Sequence, residues 1–229
     1  AWRVARSAKI LAIICSKKRP SGPSLGSMQV WGLTGLWGTG KTSVVEYLGS
    51  KGYPSVNIEE LSRRLINKDT EEGREGFQAI YKIFGNEILN AQGGLDRTKM
   101  LKRIMLNPHE KKNLEGAIDP LVSKAIDKLR VRWKESGTPF AFIEGARVFE
   151  GGFDKGLRGV VALQVDVEKR VKRIMKRDTM GIDEVRLMIQ MQDTDIIRRL
   201  ATVVLDNNGK LPDLHKRVDS FLKEKSLTK

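Results

Sequence analysis

Gly35-Leu36-Trp37-Gly38-Thr39-Gly40-Lys41-Thr42 follows the pattern G-x-x-x-x-G-K-[ST] without a gap. Glycines at these spacings let successive backbone N–H groups turn inward toward anionic oxygens. A helix opening at the lysine adds its unpaired N-terminal donors and the positive end of its dipole. The reading is therefore a loop that cradles nucleotide phosphates. Lys41 is placed to reach the β- and γ-phosphates and Thr42 to ligate Mg²⁺, with Gly35, Gly38, Thr39 and Gly40 forming the cradle.

The flanks supply the context that such a loop requires. Val30–Thr34 reads as a short buried strand, and Thr42–Leu48 as an apolar helix ended by Gly49 and Gly52. Further strands are expected at Tyr53–Val56, Phe140–Ile143, Val160–Val165 and Ala201–Leu205. Helices are expected within 59–89 with a break around Lys68–Gly76, from Asp96 as a cap to about Leu106, and from Asn107-Pro108 toward Lys134. Pro120 should kink or break that last helix. Residues 167–177 and 183–200 read as charged helices, and Pro212–Lys225 as a closing amphipathic one. Strands alternating with helices predict an α/β fold, a P-loop NTPase-type parallel sheet flanked by helices.

Composition narrows the setting. At 229 residues and 40% hydrophobic content the chain can bury a sizeable core. Cys15 is the only cysteine, which excludes an intrachain disulfide, and two histidines, His109 and His215, are too few for a zinc site. Net charge is +14, and no Asp or Glu precedes Glu46. Arg3, Arg6, Lys9, Lys17, Lys18 and Arg19 crowd residues 1–27, which leaves about +8 on the remainder. This N-terminal arm is basic, acid-free and amphipathic over residues 1–16, followed by a Pro/Gly/Ser linker. Its makeup is that of a mitochondrial transit peptide, so a mitochondrial location is expected, with the cytoplasm as the alternative. The apolar run Ile10–Cys15 is too short to span a bilayer.

Beyond the loop, several stretches in order resemble the dephospho-coenzyme A kinase family. They are Gly32-Leu33-Thr34-Gly35, Phe84-Gly85-Asn86-Glu87-Ile88-Leu89, Gly94-Leu95-Asp96-Arg97 with Asn107-Pro108, Pro120-Leu121-Val122, Phe149-Glu150 and Asp206-Asn207-Asn208-Gly209. The resemblance runs from Met28 to about Leu222. It implies ATP-dependent phosphorylation, with Mg²⁺, of the ribose 3′-hydroxyl of dephospho-CoA. It also implies one kinase-like domain over 28–229, with a helical substrate-binding (CoA) region near 60–136 and a small lid near 168–200. Asn207 joins the nucleotide-binding residues on the same ground. On the lid helix Arg170, Arg173 and Arg177 recur at helical spacing on one face, and Arg173 and Arg177 are read as nucleotide-binding.

Some positions depart from the family pattern. Members usually carry Asp-x-Asp after the second strand, the second Asp being taken as the base for the ribose hydroxyl; here the place reads Asn57-Ile58-Glu59. Glu59 is the candidate base, one methylene longer, with Glu60 next in line. Asp119 stands where many members have His, and Glu144, a candidate metal ligand through water, stands where Asp is commoner. These departures leave two further readings open. One is a catalytically drifted, nucleotide-binding structural subunit of a mitochondrial assembly, a ribosome or membrane complex, held through RNA or protein by the basic arm. The other is a kinase for a different small acceptor on the same fold.

Overall fold

Strand β1, Gln29–Gly35, is apolar and buried along almost its whole length, the signature of a strand covered on both faces. In the computed structural model, whose described residues are 28–178, 180–190, 197 and 199–227, it lies at the centre of a five-stranded sheet. It pairs in parallel with β3, Phe140–Glu144, on one side and with β4, Gly159–Gln164, on the other. Strand β2, Ser55–Asn57, and strand β5, Val203–Asp206, complete the order β2-β3-β1-β4-β5, with β5 parallel to β4. The parallel α/β sheet expected from the sequence is thus present. Strands β2 and β5 begin two residues later than expected. The basic arm, 1–27, and residues 191–196 of the expected lid helix lie outside the described residues.

The chain divides into two compact units. The first comprises the described residues up to Ser55, Trp133–Phe149 and the described residues from Asp154 onward. It contains the sheet core, α1 (Lys41–Ser50), α6 (Val167–Asp178), α7 (Ile182–Gln190) and the closing α8 (Leu211–Leu227). Trp31, Leu33, Leu48, Phe142, Leu214 and Phe221 belong to one buried cluster. Within it the Trp31 and Phe221 rings meet edge to face at 5.0 Å, a favoured aromatic geometry. A polar clamp reinforces α1 against α8. The Tyr47 hydroxyl donates to Asp219 Oδ2 at 2.7 Å, Lys51 Nζ bridges to Asp219 Oδ1 at 2.8 Å, and the His215 ring stacks on Tyr47 at 3.8 Å.

The second unit, Val56–Arg132 with Glu150–Phe153, is helical. It holds α2 (Ile58–Arg64), α3 (Glu71–Phe84), a 3₁₀ turn at Gly85–Ile88, α4 (Arg97–Leu106) and most of α5 (Pro108–Glu135). Its helix starts are capped by side chains of the expected type. Asn57 accepts from Glu60 N, Thr70 from Gly73 N, and Asp96 from Thr98 N and Lys99 N. Gly76 has a packing reason, since a Cβ there would lie 2.1 Å from the Leu65 carbonyl oxygen. Pro120 does not end α5, which is continuous from Pro108 to Glu135. The carbonyl it leaves without a helical donor belongs to Gly116, an exposed residue, so the lost partner is open to replacement by solvent. Burial of Leu114, Ile118, Val122 and Ile126 secures the helix on either side. Among the described residues no helix is long and apolar enough to cross a membrane.

Candidate nucleotide site

The loop leaves the carboxyl end of β1, the central strand, which is where open parallel sheets place their ligands. Helix α1 begins at Lys41 with Gly40 as its N-cap in the left-handed region, φ 95°, and with no side chain capping it. No acid occupies its first turn. The first-turn amides and the positive end of the dipole therefore face a ligand position uncompensated by any protein carboxylate of that turn. Gly38 is also left-handed, φ 82°, and a Cβ there would come 2.9 Å from Ile174 Cγ1. Both glycines are needed for conformation and for space.

Short polar contacts hold the loop's shape. Thr39 is buried and its hydroxyl donates to the Leu36 carbonyl at 2.7 Å. Asn207, buried after β5, donates from Nδ2 to the Thr39 carbonyl at 2.8 Å. The same Nδ2 lies 2.5 Å from where a Cβ on Gly40 would sit, so Asn207 and Gly40 are mutually fitted. Lys41 folds its ammonium back to donate to the Gly35 carbonyl at 2.8 Å. Thr42, the next residue, is exposed.

Helix α6 brings its arginines to this loop in three different ways. Arg170 is 2% exposed and donates from Nε to the Trp37 carbonyl at 2.9 Å. Burial pulls its pKa below the ordinary guanidinium range. Arg170 is therefore a buried prop beneath the loop, so the arginines that spacing puts on one face sit in different environments. Arg173 is half-buried and donates from Nη2 to the Asn207 carbonyl at 2.9 Å. Arg177 is exposed, its guanidinium 5.7 Å from the Trp37 ring centroid and gripped by Asp178, whose hydrogen bonds push its pKa up. The candidate residues Gly35, Gly38, Thr39, Gly40, Lys41, Arg173, Arg177 and Asn207 thus converge through direct contacts or close packing in one unit.

Two acidic candidates sit elsewhere in the chain. Glu144 ends β3, buried, in register with Leu33 of β1. The next residue, Gly145, donates its N–H to the Leu33 carbonyl at 3.1 Å, and its own carbonyl accepts from the Thr34 hydroxyl at 2.9 Å. Glu59 belongs to the second unit, half-buried in the first turn of α2 beside the capping Asn57. The neutral residue at 57 has a structural role there, accepting the Glu60 N–H at 2.7 Å as Asp would. Among the described residues no three His, Cys, Asp or Glu side chains cluster as a metal cage. The two metal candidates, the Thr42 hydroxyl and the Glu144 carboxylate, are oxygen donors of the kind a hard cation takes.

Sequence reasoning did not single out Trp37, Asp178 or the contact of Asn207 with the loop. Trp37 carried a usable signal, because so large an apolar ring inside a glycine-rich loop requires a partner to cover it.

A family profile described as Dephospho-CoA kinase matches residues 29–213. The chain belongs to the dephospho-CoA kinase family. Among its curated relatives, a Fusobacterium nucleatum protein named Dephospho-CoA kinase is 31% identical over 197 residues, covering 85% of this chain and 97% of the relative. One of the same name from Arabidopsis thaliana is 30% identical over 198 residues, covering 86% of this chain and 84% of the relative. Among solved structures, one from Thermus thermophilus superposes with a TM-score of 0.73 at 27% identity, covering 87% of this chain and 98% of the other. A Campylobacter jejuni structure described as a dephospho-CoA kinase shares the fold, with a TM-score of 0.61 at 20% identity, covering 86% and 96%. The dephospho-CoA kinase match runs from β1 into α8 and so takes in both units. Membership of a kinase family implies use of ATP, the ligand for which the loop was read.

Proposed function

We propose that this chain transfers the γ-phosphoryl group of ATP to the ribose 3′-hydroxyl of dephospho-CoA, giving CoA and ADP. The observation that carries the reading is an intact, well-braced phosphate loop in a chain that matches the dephospho-CoA kinase family over residues 29–213. The acceptor is taken from the family and from relatives that bear its name. Those relatives do not favour the drifted structural subunit, and nothing supports ribosomal or membrane-complex partners.

The proposed roles follow from the geometry and the chemistry of each group. Amides of Gly38, Gly40 and Lys41 receive phosphate oxygens, and Lys41 exchanges its carbonyl partners for the β- and γ-phosphates. Thr42 and Glu144, the latter through water, would hold Mg²⁺, which when bound offsets charge on the transferring phosphoryl group. Arg173 and Arg177 add positive charge from α6 within the small lid. Glu59 is assigned the acceptor's proton from its sequence position after β2. The 3′-oxygen bonds to the γ-phosphorus, the bond from that phosphorus to the β,γ-bridging oxygen breaks, and the hydroxyl proton passes to the Glu59 carboxylate. The acid-free arm supports a mitochondrial address for this activity, which a tagged full-length chain followed by fractionation would test.

Purified protein incubated with ATP, Mg²⁺ and dephospho-CoA is expected to yield CoA, identified by mass and by loss of substrate. Folded protein that forms no phosphorylated product at saturating substrates would overturn the reading. Turnover of other nucleosides, with dephospho-CoA inert, would favour a different small acceptor on the same fold.

A further inference from the structure

Trp37 stands in the phosphate loop, yet its surroundings are those of a packed residue. Its carbonyl accepts from the buried Arg170 at 2.9 Å. Its side chain packs against the cluster of Val171, Ile174, Val185 and Ile189 on α6 and α7. Above the indole lies the Arg177 guanidinium, 5.7 Å from the ring centroid and within range of a cation–π attraction. Asp178 grips the same guanidinium side-on, Nε to Oδ1 at 2.9 Å and Nη2 to Oδ2 at 2.6 Å. Arg177 therefore has one face on an aromatic ring and one edge on a carboxylate, and Nη1 is the corner left to meet an anion.

We propose that Trp37 and Asp178 are positioning residues that hold the Arg177 guanidinium at the phosphate loop, ready for the polyphosphate of the nucleotide. The proposal deepens the reading of the chain as an ATP-dependent kinase and rests on it. A long arginine side chain loses rotamer freedom when it meets a phosphate, and fixing its planar fork beforehand lowers that cost. The Asp178 charge acts in the opposite sense, partly cancelling the charge offered to ATP. Arg177 is 51% exposed and Asp178 19%, so water screens much of that cancellation, and orientation outweighs it. Arg173 is held separately, on the Asn207 carbonyl, so the two arginines have independent mounts.

The test is calorimetric ATP affinity with Mg²⁺ present, alongside KM and kcat with dephospho-CoA. It uses full-chain wild type, Asp178→Ala, Trp37→Phe, Trp37→Leu, Arg177→Ala and the double variant Asp178→Ala/Arg177→Ala. Loss of the carboxylate or of the aromatic face is expected to weaken ATP binding by about five- to tenfold. Trp37→Phe retains most of the affinity because it keeps a π face. In the Arg177→Ala background, Asp178→Ala should add less than about a twofold change, since coupled residues are non-additive. Wild-type affinity in Asp178→Ala, tighter binding there, or an equal loss with and without Arg177 would overturn the proposal. A Trp37→Phe variant as weak as Trp37→Leu would overturn the role given to the ring. If Trp37→Leu fails to fold, the Trp37→Phe and Asp178 comparisons decide. Wild type that binds ATP but forms no CoA defeats the assigned reaction and leaves the affinity comparison decisive; wild type that binds no ATP defeats both.

Discussion

Gly40 combines two constraints that no other residue type meets. Its φ of 95° is strained for any residue with a Cβ, and that Cβ would sit 2.5 Å from Asn207 Nδ2. Gly40→Ala is expected to displace Asn207 from the Thr39 carbonyl, to cost about 1–3 kcal/mol of stability, and to weaken ATP binding by at least about tenfold. Thermal melts and calorimetry measure the two effects separately. Position 57 is expected to behave differently. Asn57→Ala removes a cap and should cost about 1 kcal/mol, whereas Asn57→Asp keeps the acceptor and should melt within about 0.5 kcal/mol of wild type. The phosphate loop was legible because its chemistry lies in eight consecutive residues. Asn57 looked like a lost acid in the sequence, because the Glu60 amide that it caps becomes a neighbour only once α2 forms.

At the level of elements, the clamp between α1 and α8 is a set of titrating groups with a definite sign. Burial favours the neutral form of Asp219, but its bonds from Lys51 and Tyr47 outweigh that and hold its pKa below the ordinary 3.8. Asp219 in turn raises the pKa values of Tyr47 and Lys51 above 10.0 and 10.5. A lowered carboxylate pKa means that the contribution is present above the unfolded value and lost as pH falls through the folded one. Raised Tyr and Lys pKa values mean that their contributions fade only as pH climbs past those values. Asp219→Asn should therefore cost about 0.5–1 kcal/mol at neutral pH. That gap to wild type should close below the carboxylate range and narrow again in strong alkali, as melts across pH would record. The alternation of strands and helices was readable from periodicity, with ends displaced by a residue or two. Of the two outcomes expected at Pro120, a kink or a break, the break does not occur, because a local breaker rule takes no account of an exposed Gly116 or of burial on either side.

For the molecule as a whole, ligand occupancy and stability are linked. A nucleotide that binds only the folded chain adds about 2.7 kcal/mol at one hundred times its Kd. ATP with Mg²⁺ should accordingly raise the melting temperature by several degrees, and removal of the metal by a chelator should reverse most of the rise. Lys41→Ala should show almost none of it. The order β2-β3-β1-β4-β5 was not written in any single segment. It depends on which strand edges meet, whereas the presence of a parallel sheet followed from element alternation. Likewise the residues that brace the loop, Arg170 and Asn207, lie more than a hundred positions from it in sequence and enter the site only through the sheet's ordering.

The half-buried indole at the phosphate loop also gives the protein an optical handle. Trp31 and Trp133 are 2% and 7% exposed in the first unit, so their emission forms a steady background. Trp37 alone among the described tryptophans belongs to the loop proposed to take the nucleotide, and a cation lies against its ring. Filling the loop should change the intrinsic fluorescence in proportion to occupancy, and Trp37→Phe should abolish that change. Binding to this chain is then measurable with no label other than the one its own sequence supplies.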